Sequence, residues 1–144
     1  MTKLSIYLTF DGNCEAAFTF YRSIFGTAFT DFNRFNEMPP QDGQSPLSAE
    51  LGNRIMHVVL PINDHLVIMG SDTMPEHQHI VGNNFSLSII AESKADADRF
   101  FTSLADGANI TMPIADTFWG AYFGMLTDKF GIQWLVNYDY PKTV

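Results

Sequence analysis

Residues 118–137 read FWGAYFGMLTDKFGIQWLVN, and this stretch decides the fold. Residues with high β propensity dominate both halves, while DKFG at 128–131 is typical of a tight turn because Gly131 can take a positive φ. The stretch therefore predicts a hairpin of two aromatic-rich strands. Such strands can fill a core or line a hollow, because successive side chains of a strand point to opposite faces.

Composition and charge narrow the class of protein. The chain has 144 residues, of which 46% are hydrophobic, and this suits one domain or two half-size modules. A net charge of −8, with eight scattered Lys and Arg, argues against nucleic acid and anionic membranes as partners. Cys14 is the one cysteine, no apolar run reaches membrane-spanning length, and the first residues alternate too much for a signal peptide. We therefore expect a cytoplasmic protein.

The first half of the chain alternates between strand and helix patterns. Apolar residues recur at every second position up to Phe10, and then at spacings of three and four up to Gly26, a natural helix stop. The predicted elements are a strand at 4–10, a helix at 14–25, a strand at 27–35, a mobile loop at 36–48 and hairpin strands at 54–60 and 65–69.

The second half repeats the same order after a polar linker at 71–83. The predicted elements are a strand at 85–89, a helix at 95–104, a short strand at 110–114 that Pro113 interrupts, and the aromatic hairpin at 119–138. Two successive β-α-β-β-β modules are therefore predicted, at about 1–72 and 83–140, within a single domain spanning 1–144. The fold class is α+β.

Short segments spread over nearly the whole chain have a characteristic order and spacing. They are 10–17 (FDGNCEAA), 20–21 (FY), 25–26 (FG), 56–57 (MH), 70–72 (GSD), 112–113 (MP), 119–120 (WG), 123–124 (FG), 128–131 (DKFG) and Trp134. With these segments the chain resembles the PhnB-like group of the vicinal oxygen chelate superfamily, the glyoxalase/bleomycin resistance protein/dioxygenase superfamily. The resemblance implies two tandem βαβββ modules whose curved mixed sheets surround a cavity. It also implies a homodimer, with modules paired within a chain or exchanged between chains.

The resemblance further implies a divalent metal, held by His, Gln or Glu on the first and last strands of the modules. Such side chains offer lone pairs that hold the ion while leaving positions open for a substrate's oxygens. The matching positions here carry hydroxyls or hydrocarbons, which are poor ligands for Zn²⁺ or Ni²⁺. They are Ser5, Tyr7, Thr9, Ser86, Ser88 and Leu135, and the closing strand of the first module, at 66–69, offers no acid. We therefore predict no metal site and no cofactor.

The four histidines have different prospects. His57 lies on a predicted strand and points either into the cavity or into a core contact, so it is the best single polar candidate for ligand binding or catalysis. His65 sits at a hairpin turn, where solvation is expected. His77 and His79 lie in a loop beside Glu76, but this group lacks a third fixed ligand and is not predicted to bind a metal.

The aromatic side chains supply the other ligand-binding candidates. The predicted contacts of a planar or apolar ligand are Tyr7, Trp119, Tyr122, Phe123 and Trp134, and Asn137 is a candidate for orienting a polar group. The alternative is that these rings fill a core. Strand alternation places Trp119 with Phe123 and puts Tyr122 on the other face, so one set should be core and the other pocket.

Three further residues have a functional and a structural interpretation. Cys14, at a helix start, is either an activated nucleophile or, as we favour, a buried packing residue. Asp72 ends a strand and could orient a ligand, although strand-end acids more often serve turns. Asp128 is most simply a turn residue.

The prediction for function is a small-molecule binding protein that holds a partly apolar ligand in an aromatic cavity without a catalytic metal. An alternative is a metal-dependent or His57-assisted lyase, isomerase or oxygenase of the glyoxalase type. A third interpretation is a dimer whose aromatic face is packed and serves only structure or partner binding.

Overall fold

The computed structural model describes residues 1–39 and 43–142, which fall into two compact units divided after Ile80. Each unit contains one four-stranded sheet. Unit one consists of β1 (Ile6–Phe10), α1 (Cys14–Phe25), β2 (Asp31–Arg34), a 3₁₀ turn (Phe35–Glu37), α2 (Ala49–Asn53), β3 (Ile55–Pro61) and β4 (Val67–Asp72). Unit two consists of β5 (Leu87–Ile90), α3 (Lys94–Leu104), β6 (Asn109–Asp116), β7 (Ala121–Thr127) and β8 (Gln133–Asp139).

The two sheets have the same topology. Their strand orders are β1-β4-β3-β2 and β5-β8-β7-β6, so the first strand of each unit pairs with the last. That pairing is parallel, whereas the other strand pairs are antiparallel. The prediction of an α+β fold built from tandem βαβββ modules is therefore confirmed.

In unit one, α1 covers one face of the sheet. The helix ends at Phe25 and is capped by Gly26, whose φ of 70° is the left-handed conformation that glycine adopts without strain. Its buried Phe18 lies on Gly70 of β4 so closely that a Cβ at Gly70 would stand 2.6 Å from Phe18 Cε2. The absence of a side chain at Gly70 is what lets helix and sheet approach.

In unit two, the helix packs on a glycine of a different strand. α3 is capped by Ser93, whose hydroxyl accepts a hydrogen bond from the Asp96 amide at 3.0 Å. Its buried Phe101 lies on Gly124 of β7, where an added Cβ would stand 2.7 Å from Phe101 Cε2. The glycine thus sits on the third strand of unit two, whereas Gly70 sits on the fourth strand of unit one.

Each sheet therefore has a closed face, which its helix covers, and an open face on the opposite side. Alternation along the strands separates the two faces. Buried side chains on the closed face of unit one are Leu8, Val58, Leu60 and Ile68, and those of unit two are Leu87, Leu126, Trp134 and Val136. The hydrophobic core of each unit lies between its closed face and its helix.

The structure also departs from the predicted elements. The short helix α2 was not predicted, and β6 continues through Pro113 with shifts in its register to β7. Trp119 lies in the turn before β7 rather than on the strand. Within the predicted loop at 36–48, residues 40–42 lie outside the described residues. Among the helices of the described ranges, none combines the length and apolarity needed to cross a membrane.

Candidate functional site

The buried carboxylate of Asp72 fastens three segments of unit one. Its Oδ1 accepts hydrogen bonds from the amides of Gly12 at 2.9 Å and Cys14 at 3.0 Å, and its Oδ2 accepts one from Ile55 at 2.8 Å. These bonds join the end of β4 to the start of α1 and the start of β3. Asp72 therefore serves the fold, as the structural interpretation of the sequence had it.

Cys14 lies in the same buried place. Its side chain has no exposed surface, and burial raises the pKa of the thiol, with the negative charges of Asp72 and Glu15 adding to the effect. A thiol held in its protonated form is a poor nucleophile. The packing interpretation of Cys14 is thus the one that the structure supports.

On the open face of unit one, three side chains from three strands meet. Tyr7 of β1 lies with its hydroxyl 3.3 Å from Nδ1 of His57 on β3. The two rings stack, with centroids 5.9 Å apart and an interplanar angle of 18°. On the other side of the imidazole, Nε2 lies 3.8 Å from Oδ2 of Asp31 on β2. His57 is therefore placed between a phenol and a carboxylate.

Sheet register explains why these residues come together. Asn33 pairs with His57 and Asp31 with Val59 across the β2–β3 ladder, while Tyr7 pairs with Met69 across the β1–β4 ladder. Paired residues share a face, so all of them belong to the open face. The sequence identified Tyr7 and His57 as site residues, but it gave no signal for Asp31, because the pairing of β2 with β3 is not visible in the sequence.

The chemistry of this cluster follows from its geometry. A carboxylate near Nε2 favours the tautomer with its proton on that nitrogen, which leaves Nδ1 free to accept the Tyr7 O–H. Tyr7 is 48% exposed, so its hydroxyl can also meet a molecule from solvent. The cluster can bind a polar group and can accept or return a proton.

The open face of unit two has a different character. Ile90, Asn137 and Phe123 lie in register across β5, β8 and β7, and Ser88, Leu135 and Met125 form the next row. Trp119 is 56% exposed and contacts Phe123 edge to face, with ring centroids 6.1 Å apart. The Asn137 amide donates a hydrogen bond to Asp139 at 3.1 Å. Trp119 therefore lies beside Phe123, as the sequence predicted, and Phe123 pairs with Asn137 across the ladder. Their role as ligand contacts stays a prediction.

Trp134 does not lie with them, and its prediction as a ligand contact is wrong. It belongs to the closed face and is only 2% exposed. Its Nε1 donates a hydrogen bond to Oδ2 of Asp128 at 2.9 Å, while Oδ1 of Asp128 accepts bonds from the amides of Phe130 and Ile132. The buried carboxylate therefore holds the turn to the indole, which confirms Asp128 as a turn residue.

Tyr122 lies on the opposite face of β7 from Phe123, as strand alternation predicted. Its hydroxyl donates a hydrogen bond to Asp98 of α3 at 2.5 Å, and Lys94 Nζ lies 4.7 Å from the ring centroid. The bond to Asp98 raises the pKa of Tyr122 to about 12. Tyr122 thus ties β7 to the helix on the closed side.

The residues at the expected metal positions do not fit a divalent ion. On the open faces, most positions of the first and last strands carry hydroxyl, thioether, hydrocarbon or amide side chains: Tyr7, Thr9, Met69, Ser71, Ser88, Ile90, Leu135 and Asn137. Gln133 and Asp139, at the two ends of β8, lie on the same face, where Gln133 donates a hydrogen bond to the Phe85 carbonyl and Asp139 accepts one from Asn137. Within 1–39 and 43–142, no three His, Cys, Asp or Glu side chains stand close enough to share an ion. In the loop cluster, His79 instead donates a hydrogen bond from Nε2 to the Thr9 carbonyl at 3.0 Å.

A polar cleft of about 490 Å³ lies beside the start of α1. Its two arginines already have partners, since Arg34 pairs with Glu15 at 2.7 Å and Arg54 with Asp11 at 3.0 Å. Arg54 also donates to the Thr73 carbonyl at 2.8 Å. The cleft is therefore best explained as an ion-pair network that supports unit one.

Comparison with known proteins agrees with this fold. A sequence model of the Glyoxalase/Bleomycin resistance protein/Dioxygenase superfamily matches residues 3–136. Protein YjdN of Escherichia coli (strain K12) is 32% identical over 139 residues, which cover 93% of each chain.

Solved structures give the same result. Protein PA1353 of Pseudomonas aeruginosa is 36% identical with a TM-score of 0.82, over 96% of this chain and 98% of the other. A Bacillus cereus protein described as a putative 3-demethylubiquinone-9 3-methyltransferase, PhnB protein, is 25% identical with a TM-score of 0.77, over 95% and 99% of the two chains.

Proposed function

The chain belongs to the Glyoxalase/Bleomycin resistance protein/Dioxygenase superfamily, within its PhnB-like group, and on that premise we propose that it binds a small, partly apolar molecule without a catalytic metal. The open face of unit two supports this proposal most directly. There Phe123, Leu135 and the half-exposed Trp119 offer apolar surface around the amide of Asn137. Apolar walls with a few polar groups are typical of small-molecule sites.

The metal-free part of the proposal rests on donor chemistry. Ser88 and Leu135 pair across β5 and β8, at positions where the superfamily resemblance expects metal ligands. A neutral hydroxyl and a hydrocarbon do not compete with water for Zn²⁺ or Ni²⁺.

Equilibrium dialysis tests the metal. The protein is dialysed against Zn²⁺, Ni²⁺, Mn²⁺ and Fe²⁺, and the retained metal is measured by elemental analysis. We expect no stoichiometric retention by the wild type. Stoichiometric retention that is lost in His57→Ala but kept in His65→Ala, an exposed histidine of a turn, would contradict the proposal.

A fluorescent apolar dye tests the ligand site. We expect Trp119→Ala and Phe123→Ala to weaken dye binding roughly tenfold each, because each removes a ring from the same contact pair. Phe85→Ala is the matched control, since Phe85 is exposed and precedes β5. Equal loss in all three variants would show that the dye does not report this face.

One observation favours a second function, a His57-assisted lyase, isomerase or oxygenase. The half-exposed Tyr7 hydroxyl lies within hydrogen-bond distance of His57 Nδ1, so a substrate's proton can reach the imidazole through it. The test is a screen of carbonyl compounds in D₂O, with deuterium uptake followed by NMR. Uptake that is lost in His57→Gln would support the enzyme, and no uptake by the wild type would favour binding alone.

We also propose that the protein is a homodimer in a reducing, cytoplasmic compartment. Exposed Ile90 and Phe118 in unit two leave apolar surface available for burial in a partner, and the single thiol Cys14 is buried and unpaired with another cysteine. Light scattering after gel filtration measures the assembly. A mass equal to that of the 16.2 kDa chain would contradict the dimer.

A further inference from the structure

We propose that Tyr7 is a proton-gated anchor for a ligand's carbonyl oxygen, to which it donates its O–H only when His57 is protonated. The ligand class is a carbonyl-bearing, partly apolar molecule, and the inference rests on the proposed binding function. It adds a specific recognition site on the open face of unit one, where the Tyr7 hydroxyl and His57 Nδ1 lie 3.3 Å apart.

The dependence of Tyr7 on His57 follows from the number of protons that the imidazole carries. When His57 is neutral with its proton on Nε2, Nδ1 has a lone pair and accepts the Tyr7 O–H. When His57 gains a second proton, Nδ1 becomes a donor, and the Tyr7 oxygen accepts its hydrogen. The phenolic proton must then point away from the imidazole. It becomes available to an acceptor outside the protein, because Tyr7 is about half exposed.

The surroundings hold His57 in the orientation that this exchange requires. Asp31 Oδ2, at 3.8 Å from Nε2, favours a proton on that nitrogen in both states of the ring. The near-parallel stacking of Tyr7 on the imidazole limits rotation of both rings. Neither group needs to move far, since only hydrogens change place.

Few other titratable groups face this cluster. Asp31 comes from β2, and the next acid, Glu37, accepts a hydrogen bond from the open-face Asn33 at 3.2 Å. A second imidazole, that of His79, contacts β1 at the Thr9 carbonyl. The open-face residues of β4 are uncharged. His57 is thus the imidazole in direct contact with the Tyr7 hydroxyl.

Binding and protonation are then coupled in both directions. A carbonyl ligand that binds better to the protonated form must raise the pH at which His57 gains its proton, by the reciprocity of linked equilibria. A ligand of the same shape without an acceptor oxygen must leave that titration unchanged, because it has no preference between the two states.

The probes that test the gate are acetophenone and ethylbenzene. Both are uncharged at every pH used, so a change of affinity with pH must come from the protein. Dissociation constants are measured by NMR titration at about pH 5.5 and about pH 8.5, on either side of the usual histidine range. We expect acetophenone to bind roughly three- to tenfold more tightly at the lower pH, the effect of one hydrogen bond. The affinity for ethylbenzene should not change. Acetophenone should also shift the His57 imidazole titration to higher pH.

The variant Tyr7→Phe keeps the ring but removes the hydroxyl, so it should bind acetophenone with the same affinity at both pH values. Tyr138→Phe in unit two is the matched control and should keep the pH dependence. Amide spectra of each variant check the fold.

The outcomes separate the gate from the binding function. If the wild type binds acetophenone equally at both pH values, or if Tyr7→Phe keeps the pH dependence, the gate is overturned while the binding function stands. If neither probe binds at either pH, both proposals are overturned.

Discussion

The open faces of the two units differ far more than their closed faces. The open face of unit one carries the polar cluster of Tyr7, His57 and Asp31, whereas that of unit two has apolar side chains such as Phe123 and Leu135 around the amide of Asn137. Both closed faces pack a helical phenylalanine on a strand glycine. The packing of helix on sheet therefore constrains the closed faces, while the open faces can differ in their chemistry.

The closed faces of the two units are alike in packing but place the central glycine on different strands. Val58 of β3 pairs with Gly70 of β4, and Gly124 of β7 pairs with Val136 of β8. The glycine and valine of this central pair have therefore exchanged strands between the units. What is kept is the space that the phenylalanine of the helix fills.

The largest effect is expected from the buried carboxylates. Asp128→Ala leaves Trp134 Nε1 and two amides without their acceptor, so it should lower the free energy of unfolding by about 4 kcal/mol. Urea denaturation followed by circular dichroism measures the change. Asp64→Ala, at an exposed position, is the control. An equal loss in the free energy of unfolding there would show that the buried carboxylate of Asp128 is no more important for stability than a surface acid.

Filling the glycine positions should have the next largest effect. Gly70→Val and Gly124→Val each place carbon within 3 Å of the covering phenylalanine and of backbone atoms, and should cost about 3 kcal/mol by overpacking. Thermal unfolding compares them with Gly82→Val, where the nearest atom would stand 3.6 Å away. If only one of these two substitutions lowered the stability, the closed faces of the two units would not be packed in the same way.

The sequence predicted the longer elements better than the short ones. The helix at Cys14–Phe25 was predicted with its observed bounds, because apolar spacing and Gly26 define it locally. α2 was missed, since its five residues are too few to show a helical period and include Gly52 and Asn53. Local pattern thus predicts elements that bury a continuous stripe and fails for short ones.

The candidate site was predicted less completely, for a physical reason. Alternation divides Tyr122 from Phe123 but cannot say which of them faces the helix, and the partner of the Trp134 indole depends on how the turn folds. Asp31 joined the site through strand register, a long-range property. Residue type indicated the chemistry of the candidate site, but which residues lie in it depends on how the strands pair in the folded protein.

Open-face substitutions should affect binding more than stability. Phe123→Ser and His57→Ala each remove a half-buried side chain outside the two cores, so each should change the free energy of unfolding by less than about 1 kcal/mol. Denaturation and dye titration on the same samples compare the two quantities. A loss of stability as large as that of Gly70→Val would mean that the open faces are structural too.

The smallest effect concerns the Tyr122 phenol. Because its pKa is raised from 10.0 to about 12 by the bond to Asp98, that bond should contribute fully below pH 10 and be lost as the pH rises towards 12. Phenolate absorbance should show two late-titrating tyrosines, because the bond to Asp116 raises the pKa of Tyr140 to about 12 as well, and Tyr122→Phe should remove only the contribution of Tyr122. In Asp98→Asn its midpoint should move back towards 10, and an unchanged midpoint would show that Asp98 is not the cause.

The placement of the two tryptophans gives the molecule a pair of separate optical reporters. Trp134 is enclosed by the core and bonded to Asp128, whereas Trp119 stands in solvent beside Phe123. The emission of the first should change when unit two unfolds, and that of the second when a molecule settles on the open face. A single chain without any attached label can therefore distinguish loss of structure from occupation of its candidate site.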